Sequence, residues 1–321
     1  MPAIEVRNLV KRFGSIVAVN GISLEIEYGE IFALLGPNGA GKTTTISILA
    51  TLLKPTSGEA KINGYDVVKE AAKVRQSIGI VFQDPSLDDR LTARENLDIH
   101  GRLYHMSREE RHRRIEEVLE MVELLDRADS IVKTFSGGMR RRLEIARGLM
   151  HKPKVLFLDE PTLGLDPQTR RHIWEYVEKL RDEGVTVLLT THYMEEADYL
   201  ADRIAIIDAG KIVAEGTPSE LKDSVGGDII KIKCSNAENM LEKLVANGFN
   251  ATLVDDEIVI KAKEAEKMIP KIFAIADEEV KSITYKEPSL EDVFIHYTGR
   301  AFRDEEVDEI EASKMKWRMR R

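Results

Sequence analysis

The residues best suited to chemistry form a glycine-rich loop near the N-terminus. The segment 36–43 reads Gly-Pro-Asn-Gly-Ala-Gly-Lys-Thr, so a lysine and a hydroxyl residue follow its last glycine. The N–H groups of such a loop and of a following helix form a cradle for phosphate groups, whereas a plain glycine-rich turn rarely has this spacing. Lys42 would contact the terminal phosphates and Thr43 would offer an oxygen to Mg²⁺. The expected binding residues are Gly36, Pro37, Asn38, Gly39, Ala40, Gly41, Lys42, Thr43 and Thr44.

Two adjacent carboxylates form the second candidate group. Asp159 and Glu160 directly follow the apolar run 155–158. Ligands of open α/β sheets bind at the carboxyl ends of the strands, where these side chains would lie. Asp159 would hold Mg²⁺, and Glu160, on the other side of the strand, could polarise an attacking water. The alternative is a strand end that exposes two acids to solvent, but the glycine-rich loop favours a hydrolytic site.

The elements around these residues indicate an α/β fold with a parallel sheet. Short apolar runs, typical of strands buried on both faces, occur at 31–35, 78–82, 155–158, 185–190 and 204–207. A helix is expected from Thr43 to Leu53, where the turn residues 55–58 end it. Residues 87–149 carry helical periodicity, and we expect them to form a helical subdomain within this domain.

The C-terminal part of the chain has a different pattern. It predicts the order β-α-β-β-α-β, the split arrangement of a ferredoxin-like α+β domain, with a hairpin turning at 255–256 and a helix over 263–276 that is interrupted at Pro270. A short helix should start at Ser289. We expect four segments: an α/β domain at 1–220, a linker at 221–228, the α+β domain at 229–299 and a charged tail at 300–321.

Further motifs give the sequence a family resemblance over residues 3–220. Phe135-Ser136-Gly137-Gly138-Met139 resembles the signature of the nucleotide-binding subunit of an ABC transporter, with Phe and Met where Leu and Gln are usual. Other segments resemble its remaining motifs in the same order: Phe13 the aromatic that stacks on adenine, Gln83 the Q-loop, 161–166 the D-loop and His192 the H-loop. Phe13 alone is also compatible with a core residue of an edge strand.

The resemblance implies a fold and a set of roles. The fold is a P-loop NTPase cassette, and the reaction is ATP hydrolysis with Glu160, His192 and Gln83 as catalytic residues. Mg²⁺ would be held by Thr43, Gln83 and Asp159. Ser136, Gly137, Gly138 and Asp166 would contact nucleotide across a two-fold dimer. The chain has one copy of each motif, so the partner ATPase is a second copy or a different subunit.

A narrower resemblance concerns the type of transporter. The span 88–97, Met139 and the run 287–294 with Thr298-Gly299 are similar to ATPase subunits of the daunorubicin-resistance type. This resemblance implies multidrug resistance or related export of a drug, lipid or polysaccharide through a separate ABC-2 type permease. No apolar run has the roughly 18 residues that span a bilayer. We therefore expect a peripheral protein on the cytoplasmic face of the cell membrane.

Composition and motif spacing weigh against other classes. The net charge of −9 argues against a nucleic-acid partner, and the single cysteine, Cys234, excludes an intrachain disulfide. A non-transport ABC ATPase acting on a soluble complex is the main alternative, although only 93 positions separate Thr43 from Ser136, too few for a long coiled coil. A module that binds nucleotide without hydrolysis would leave Glu160 without a role. A GTPase would carry an Asn-Lys-x-Asp motif, which this sequence lacks.

We expect two groups of polar residues to be surface or structural residues and not part of the site. Arg140, Arg141 and Arg142 form a charge run, for which we expect a solvated helix face. His100, His105 and His112 lack the spacing of metal ligands, and we expect them to be surface or structural residues.

Overall fold

The computed structural model describes residues 1–84, 86–254, 257–262, 265–276 and 280–299. Within them the chain forms two compact units that divide between Glu215 and Gly216. A helix at Pro218–Asp223 belongs to the second unit, in a stretch that the sequence assigned to the end of the first domain and a linker. The expected charged tail at 300–321 and the hairpin turn at 255–256 lie outside the described residues.

The first unit is built on two sheets. The strands are β1 (Ile4–Phe13), β2 (Ile16–Ile26), β3 (Ile31–Leu35), β4 (Ser57–Ile62), β5 (Tyr65–Asp66), β6 (Ile78–Val81), β7 (Val155–Asp159), β8 (Thr186–Thr191), β9 (Arg203–Asp208) and β10 (Lys211–Gly216). One sheet has the order β2-β1-β4-β5 and is antiparallel. The other has the order β10-β9-β3-β8-β7-β6, and its strands from β9 to β6 pair in parallel. The predicted α/β fold with a parallel sheet is confirmed.

The core strands are buried along their whole length, as their continuous apolar sequences predict. Every residue of β3, β7 and β8 is buried. Large side chains from the two sheets, among them Phe32 and Phe157, pack in one hydrophobic core. This packing fixes the position of the strand ends, from which the candidate functional residues extend.

Seven α-helices of the first unit lie within the described residues. They are α1 (Lys42–Leu49), α2 (Ala71–Ser77), α3 (Ala93–Leu103), α4 (Arg108–Met121), α5 (Gly137–Gly148), α6 (Pro167–Asp182) and α7 (Met194–Leu200). The helical subdomain expected over 87–149 contains α3, α4 and α5. The helical periodicity of this segment is seen in Ile115, Val118, Leu119 and Val122, which follow the spacing i, i+3, i+4, i+7 and are all buried. Helix α1 ends at Leu49, before the predicted Leu53, because Thr51 turns to a positive φ of 65° that a helix cannot continue through.

The second unit begins with α8 (Pro218–Asp223) and contains an antiparallel sheet. Its other elements are β11 (Asp228–Cys234), α9 (Ala237–Ala246), β12 (Ala251–Val254), β13 (Glu257–Ala262), α10 (Ala265–Ile275), β14 (Val280–Lys286) and α11 (Leu290–Thr298). The sheet order β12-β13-β11-β14 is that of the split arrangement expected for a ferredoxin-like domain. Pro270 lies inside α10 and does not interrupt it, so that prediction is wrong. Burial of Ala265 and Ile272 in the core of this unit offsets the hydrogen bond that the proline cannot donate.

A close approach of backbones joins the helical subdomain to the parallel sheet. A Cβ built on Gly79 of β6 would lie 2.3 Å from the carbonyl oxygen of Gly148 at the end of α5. Backbone atoms cannot move aside as a flexible side chain can. The contact therefore requires glycine on the strand.

We expect Gly79→Ala to destabilise the first unit by about 1–3 kcal/mol through overpacking. The midpoint of thermal unfolding, followed by circular dichroism, should fall by several degrees. Gly137→Ala is the matched control, since its Cβ would meet only Leu165 Cδ2 at 3.6 Å. Equal midpoints for the two variants would contradict this account of the contact.

Candidate active site

The carboxyl ends of four neighbouring parallel strands meet at one edge of the sheet. The glycine-rich loop follows β3 and His192 follows β8. Asp159 is the last residue of β7, Glu160 comes directly after it, and Gln83 follows β6. These residues border a cleft of about 340 Å³, within the range of roughly 300–1,000 Å³ usual for small-molecule sites. The cleft is lined by Ala18, Asn38, Gly39, Gly41, Lys42, Thr43, Thr44, Gln83, Glu160, Leu163 and His192.

The glycine-rich loop forms the turn from β3 into α1 that its sequence predicts. Gly41 adopts a φ of 106°, and a Cβ there would lie 2.4 Å from the carbonyl oxygen of Ala18. Only glycine meets both conditions. Helix α1 begins at Lys42, so its first N–H groups lie at the loop. This is the arrangement that binds phosphate groups at a helix N-terminus.

A buried group of charges stands at the centre of the cleft. The Oε1 atom of Glu160 lies 3.2 Å from Nζ of Lys42, and its Oε2 lies 3.1 Å from Nδ1 of His192. Burial raises the pKa of Glu160, but the hydrogen bond with His192 and the charge of Lys42 outweigh it, so the pKa lies below its ordinary value. Glu160 is thus held as a carboxylate, the form that can accept a proton.

The pKa of the neighbouring carboxylate, Asp159, is shifted in the opposite direction. Burial raises the pKa of Asp159, although Thr190 and Thr43 donate hydrogen bonds to its Oδ1 at 2.5 and 3.3 Å. The Thr43 hydroxyl from the loop and the Asp159 carboxylate from β7 therefore lie close together. Such oxygen donors suit Mg²⁺, which usually takes one or two carboxylates together with substrate phosphates. Thr43 and Asp159 fit this ion.

Other predicted site residues lie at several places around the first unit. Gln83 is exposed in the lining of the cleft. Phe13 ends β1 with 46% of its surface exposed, which contradicts the alternative of a core residue. Asp166 caps α6 and accepts from the N–H groups of Gln168 and Thr169. Ser136 caps α5 by accepting from the N–H of Met139 at 3.3 Å.

The signature residues do not join the same cleft. Ser136, Gly137 and Gly138 are not among the described residues that line it. They form the N-terminus of α5, in the helical subdomain. A Cβ on Gly138 would lie 2.3 Å from Cγ2 of Thr169, so the start of α5 packs closely against the first turn of α6.

Two buried charged residues of this unit were not anticipated from the sequence. Glu196 of α7 is fully buried, and burial raises its pKa, with Thr162 and Trp174 donating hydrogen bonds to its Oε1. Arg141 is 7% exposed and contacts the backbone beside Glu160, so the expected solvated face of residues 140–142 is wrong at this position. The three-residue spacing of Arg141 and Glu144 was the available signal, since an ion pair at i, i+3 is often formed within a helix.

Comparison with protein families assigns both parts of the chain. Residues 19–163 match the ABC transporter family, and residues 216–298 match the C-terminal domain of DrrA1-3-like ATP-binding proteins. The daunorubicin resistance ATP-binding protein DrrA3 of Streptomyces coeruleorubidus is 42% identical over 92% of this chain and 96% of its own length. The linearmycin resistance protein LnrL of Bacillus subtilis is 43% identical over 94% of this chain and 100% of its own.

A third relative and two solved structures extend the comparison. The Nod factor export ATP-binding protein I of Burkholderia lata is 39% identical over 94% of this chain and 98% of its own. A dimeric, post-hydrolysis ATP-binding cassette bound to ADP and Pi is 34% identical, with a TM-score of 0.61 over 67% of this chain and 98% of that one. An ATP-binding subunit of an ABC transporter is 30% identical, with a TM-score of 0.63 over 70% of this chain and 93% of that one. The chain belongs to the ABC transporter ATP-binding proteins with a DrrA-like C-terminal domain, and it is an ATPase of that family.

Proposed function

We propose that the chain hydrolyses ATP in this cleft with Glu160 as the general base. Water attacks the γ-phosphorus, Glu160 accepts a proton from that water, and the bond to the β-phosphate oxygen breaks to release ADP and phosphate. The main support is the position of the Glu160 carboxylate, 3.2 Å from Lys42 Nζ and 3.1 Å from His192 Nδ1. The same two side chains would contact the γ-phosphate, which brings the base next to the reacting atom.

The remaining residues of the cleft bind and orient the nucleotide. The N–H groups of the loop and of α1 would hold the phosphates, and Phe13, half-exposed at the end of β1, would stack on adenine. Thr43, Asp159 and Gln83 would hold Mg²⁺, which supplies charge neutralisation on the phosphates when bound. Gln83 reaches the cleft from the end of β6, so it can respond to the presence of nucleotide.

We further propose that two ATPase subunits form a two-fold dimer with nucleotide between them. Ser136, Gly137 and Gly138 begin α5, and no acidic residue lies in its first turn. The N-terminus of a helix carries a partial positive charge that favours phosphate. These residues would therefore contact ATP held by the other subunit, with Asp166 nearby in the same interface. The second subunit is another copy of this chain or a related ATPase.

The dimer would drive export through a separate ABC-2 type permease at the cytoplasmic face of the membrane. Relatives named for daunorubicin resistance, linearmycin resistance and Nod factor export support this assignment. Drugs, lipids and polysaccharides are the substrate classes we consider. Within the described residues, no helix combines the length and apolar character needed to cross a membrane. Ile99 and Leu103, four residues apart on α3, are 48% and 71% exposed and offer an apolar contact to a permease.

Glu160→Gln should reduce the rate constant of ATP hydrolysis at least about 10²-fold, because an amide cannot accept the proton. ATP affinity should change less than threefold, and Mg-ATP should cause a dimer to accumulate, measured by light scattering after gel filtration. Glu178→Gln on α6 is the control and should keep the wild-type rate. Multiple turnovers at a near wild-type rate by Glu160→Gln would refute the assignment of the base.

Lys42→Ala should weaken ATP binding by roughly 10- to 100-fold, the effect of losing a hydrogen bond to a charged group. Isothermal titration with a slowly hydrolysed ATP analogue measures this affinity directly. Thermal unfolding of the variant checks that the loop remains folded, because Nζ also donates to the carbonyl oxygens of Gly36 and Pro37 at 2.7 and 3.2 Å. An unchanged dissociation constant would contradict the proposed role of the loop.

Tagged Glu160→Gln protein, incubated with Mg-ATP, should capture a multi-span membrane protein from detergent-solubilised host membranes. Adding Ile99→Asp and Leu103→Asp should abolish the capture, because charged side chains would replace the apolar contact. Leu52→Asp is the matched control, since Leu52 is also exposed, at 57%, but lies after α1. Capture of ribosomes or another soluble complex alone would favour a non-transport ABC ATPase.

A further inference from the structure

Arg141 makes an unusual set of contacts from within α5. Its side chain is buried, and its guanidinium group donates to five oxygen atoms at 2.6–3.1 Å. The acceptors are the carbonyl oxygens of Phe82, Asp159, Glu160 and Pro161 and the Oε2 atom of Glu144. A guanidinium group has five N–H donors in one plane, so these contacts match its full capacity.

Three of the acceptors are successive carbonyls of the turn that carries the proposed base. Glu160 has a φ of 47°, in the left-handed region that non-glycine residues rarely adopt. Its N–H donates to the carbonyl oxygen of Thr190 at 3.1 Å, and its own carbonyl oxygen accepts from Arg141 at 3.1 Å. Hydrogen bonds on both sides of this residue hold its strained backbone. The direction of the carboxylate depends on that backbone conformation.

The other contacts reach the end of β6. Arg141 donates to the carbonyl oxygen of Phe82, the residue directly before Gln83, at 2.6 Å. Its ion-pair partner Glu144 accepts from the N–H of Ser86 at 2.9 Å. One buried ion pair on α5 therefore contacts the backbone on both sides of Gln83 and beside Glu160. Arg141 also lies only five residues after Ser136, the signature residue that caps α5.

We propose that Arg141 is a positioning residue for ATP hydrolysis, which holds the Glu160 turn in the reactive arrangement. Arg141 touches no part of the nucleotide-binding loop in these contacts, so it acts on the chemical step through Glu160. The proposal rests on the assignment of Glu160 as the general base. A lysine cannot replace Arg141, because an ammonium group has three donors and no planar fork.

The test compares Arg141→Lys in the wild-type protein and in the Glu160→Gln protein, using the full-length chain. In the wild-type background, we expect the rate constant for hydrolysis to fall at least tenfold while KM for ATP changes less than threefold. In the Glu160→Gln background, single-turnover hydrolysis of radiolabelled ATP should change less than twofold, because the group that Arg141 positions is already inactive. A general loss of structure would lower both rates by the same factor.

Arg114→Lys is the matched control. Arg114 also lies in the helical subdomain and donates to a backbone carbonyl, that of Leu149, at 2.9 Å, but it does not contact the catalytic turn. We expect it to leave the hydrolysis rate within twofold of wild type. If Arg141→Lys does not yield folded protein by circular dichroism, Arg141→Gln is measured by the same criteria.

The outcomes separate this inference from the proposed function. A wild-type rate constant for the Arg141 variant, a loss expressed mainly in KM, or equal losses in the two backgrounds would overturn the positioning role. If Glu160→Gln itself retained hydrolysis, the assignment of the base would fail first, whatever the Arg141 variants did.

Discussion

Parallel pairing of β3, β8, β7 and β6 is the constraint on which the site depends. In a parallel sheet all four strands end at the same edge, so residues far apart in sequence converge there. The glycine-rich loop, His192 and Gln83 follow β3, β8 and β6, and the pair Asp159–Glu160 lies at the end of β7. Because every residue of β3, β7 and β8 is buried, a shift of one of these strands would cost core packing. The packed strands therefore hold Glu160 beside Lys42 and His192, and Asp159 beside Thr43.

The two adjacent carboxylates illustrate how environment separates the roles of similar groups. Asp159 and Glu160 are both buried, yet the pKa of Asp159 is raised and that of Glu160 is lowered. Burial acts on both in the same direction, whereas Glu160 also has Lys42 and His192 within 3.2 and 3.1 Å of its carboxylate oxygens. A pair of carboxylates whose pKa values are pushed apart is a common arrangement in hydrolytic sites. The strand alternation expected from the sequence does not apply here, because Asp159 is the last residue of β7 and Glu160 lies in the turn after it, with a φ of 47°.

The helical subdomain is joined to the sheet by specific contacts of α5. Its last residue, Gly148, packs against the backbone of β6, and Arg141 binds carbonyl groups at the ends of both β6 and β7. Arg142, the next residue, instead contacts Val122 and Tyr176. Arg140 pairs with Asp89. The helical period of 3.6 residues thus directs the three arginines to different neighbours, and Arg141 is the one that contacts the catalytic turn.

Local patterns in the sequence were sufficient to predict the glycine-rich loop, the paired carboxylates, most strands of both units and the order of the C-terminal elements. These features depend on near neighbours along the chain: turn residues, apolar runs and spacing within one element. The exposure of Phe13, the burial of Arg141 and Glu196, and the continuity of α10 through Pro270 were decided by tertiary structure. Each depends on groups contributed by distant segments, such as the carbonyl of Asp159 at the end of β7, which accepts from Arg141. The sequence by itself determined which chemistry is available, and the packing of the sheet and helices decided which side chains support it, because burial and hydrogen-bond partners exist only once distant elements meet.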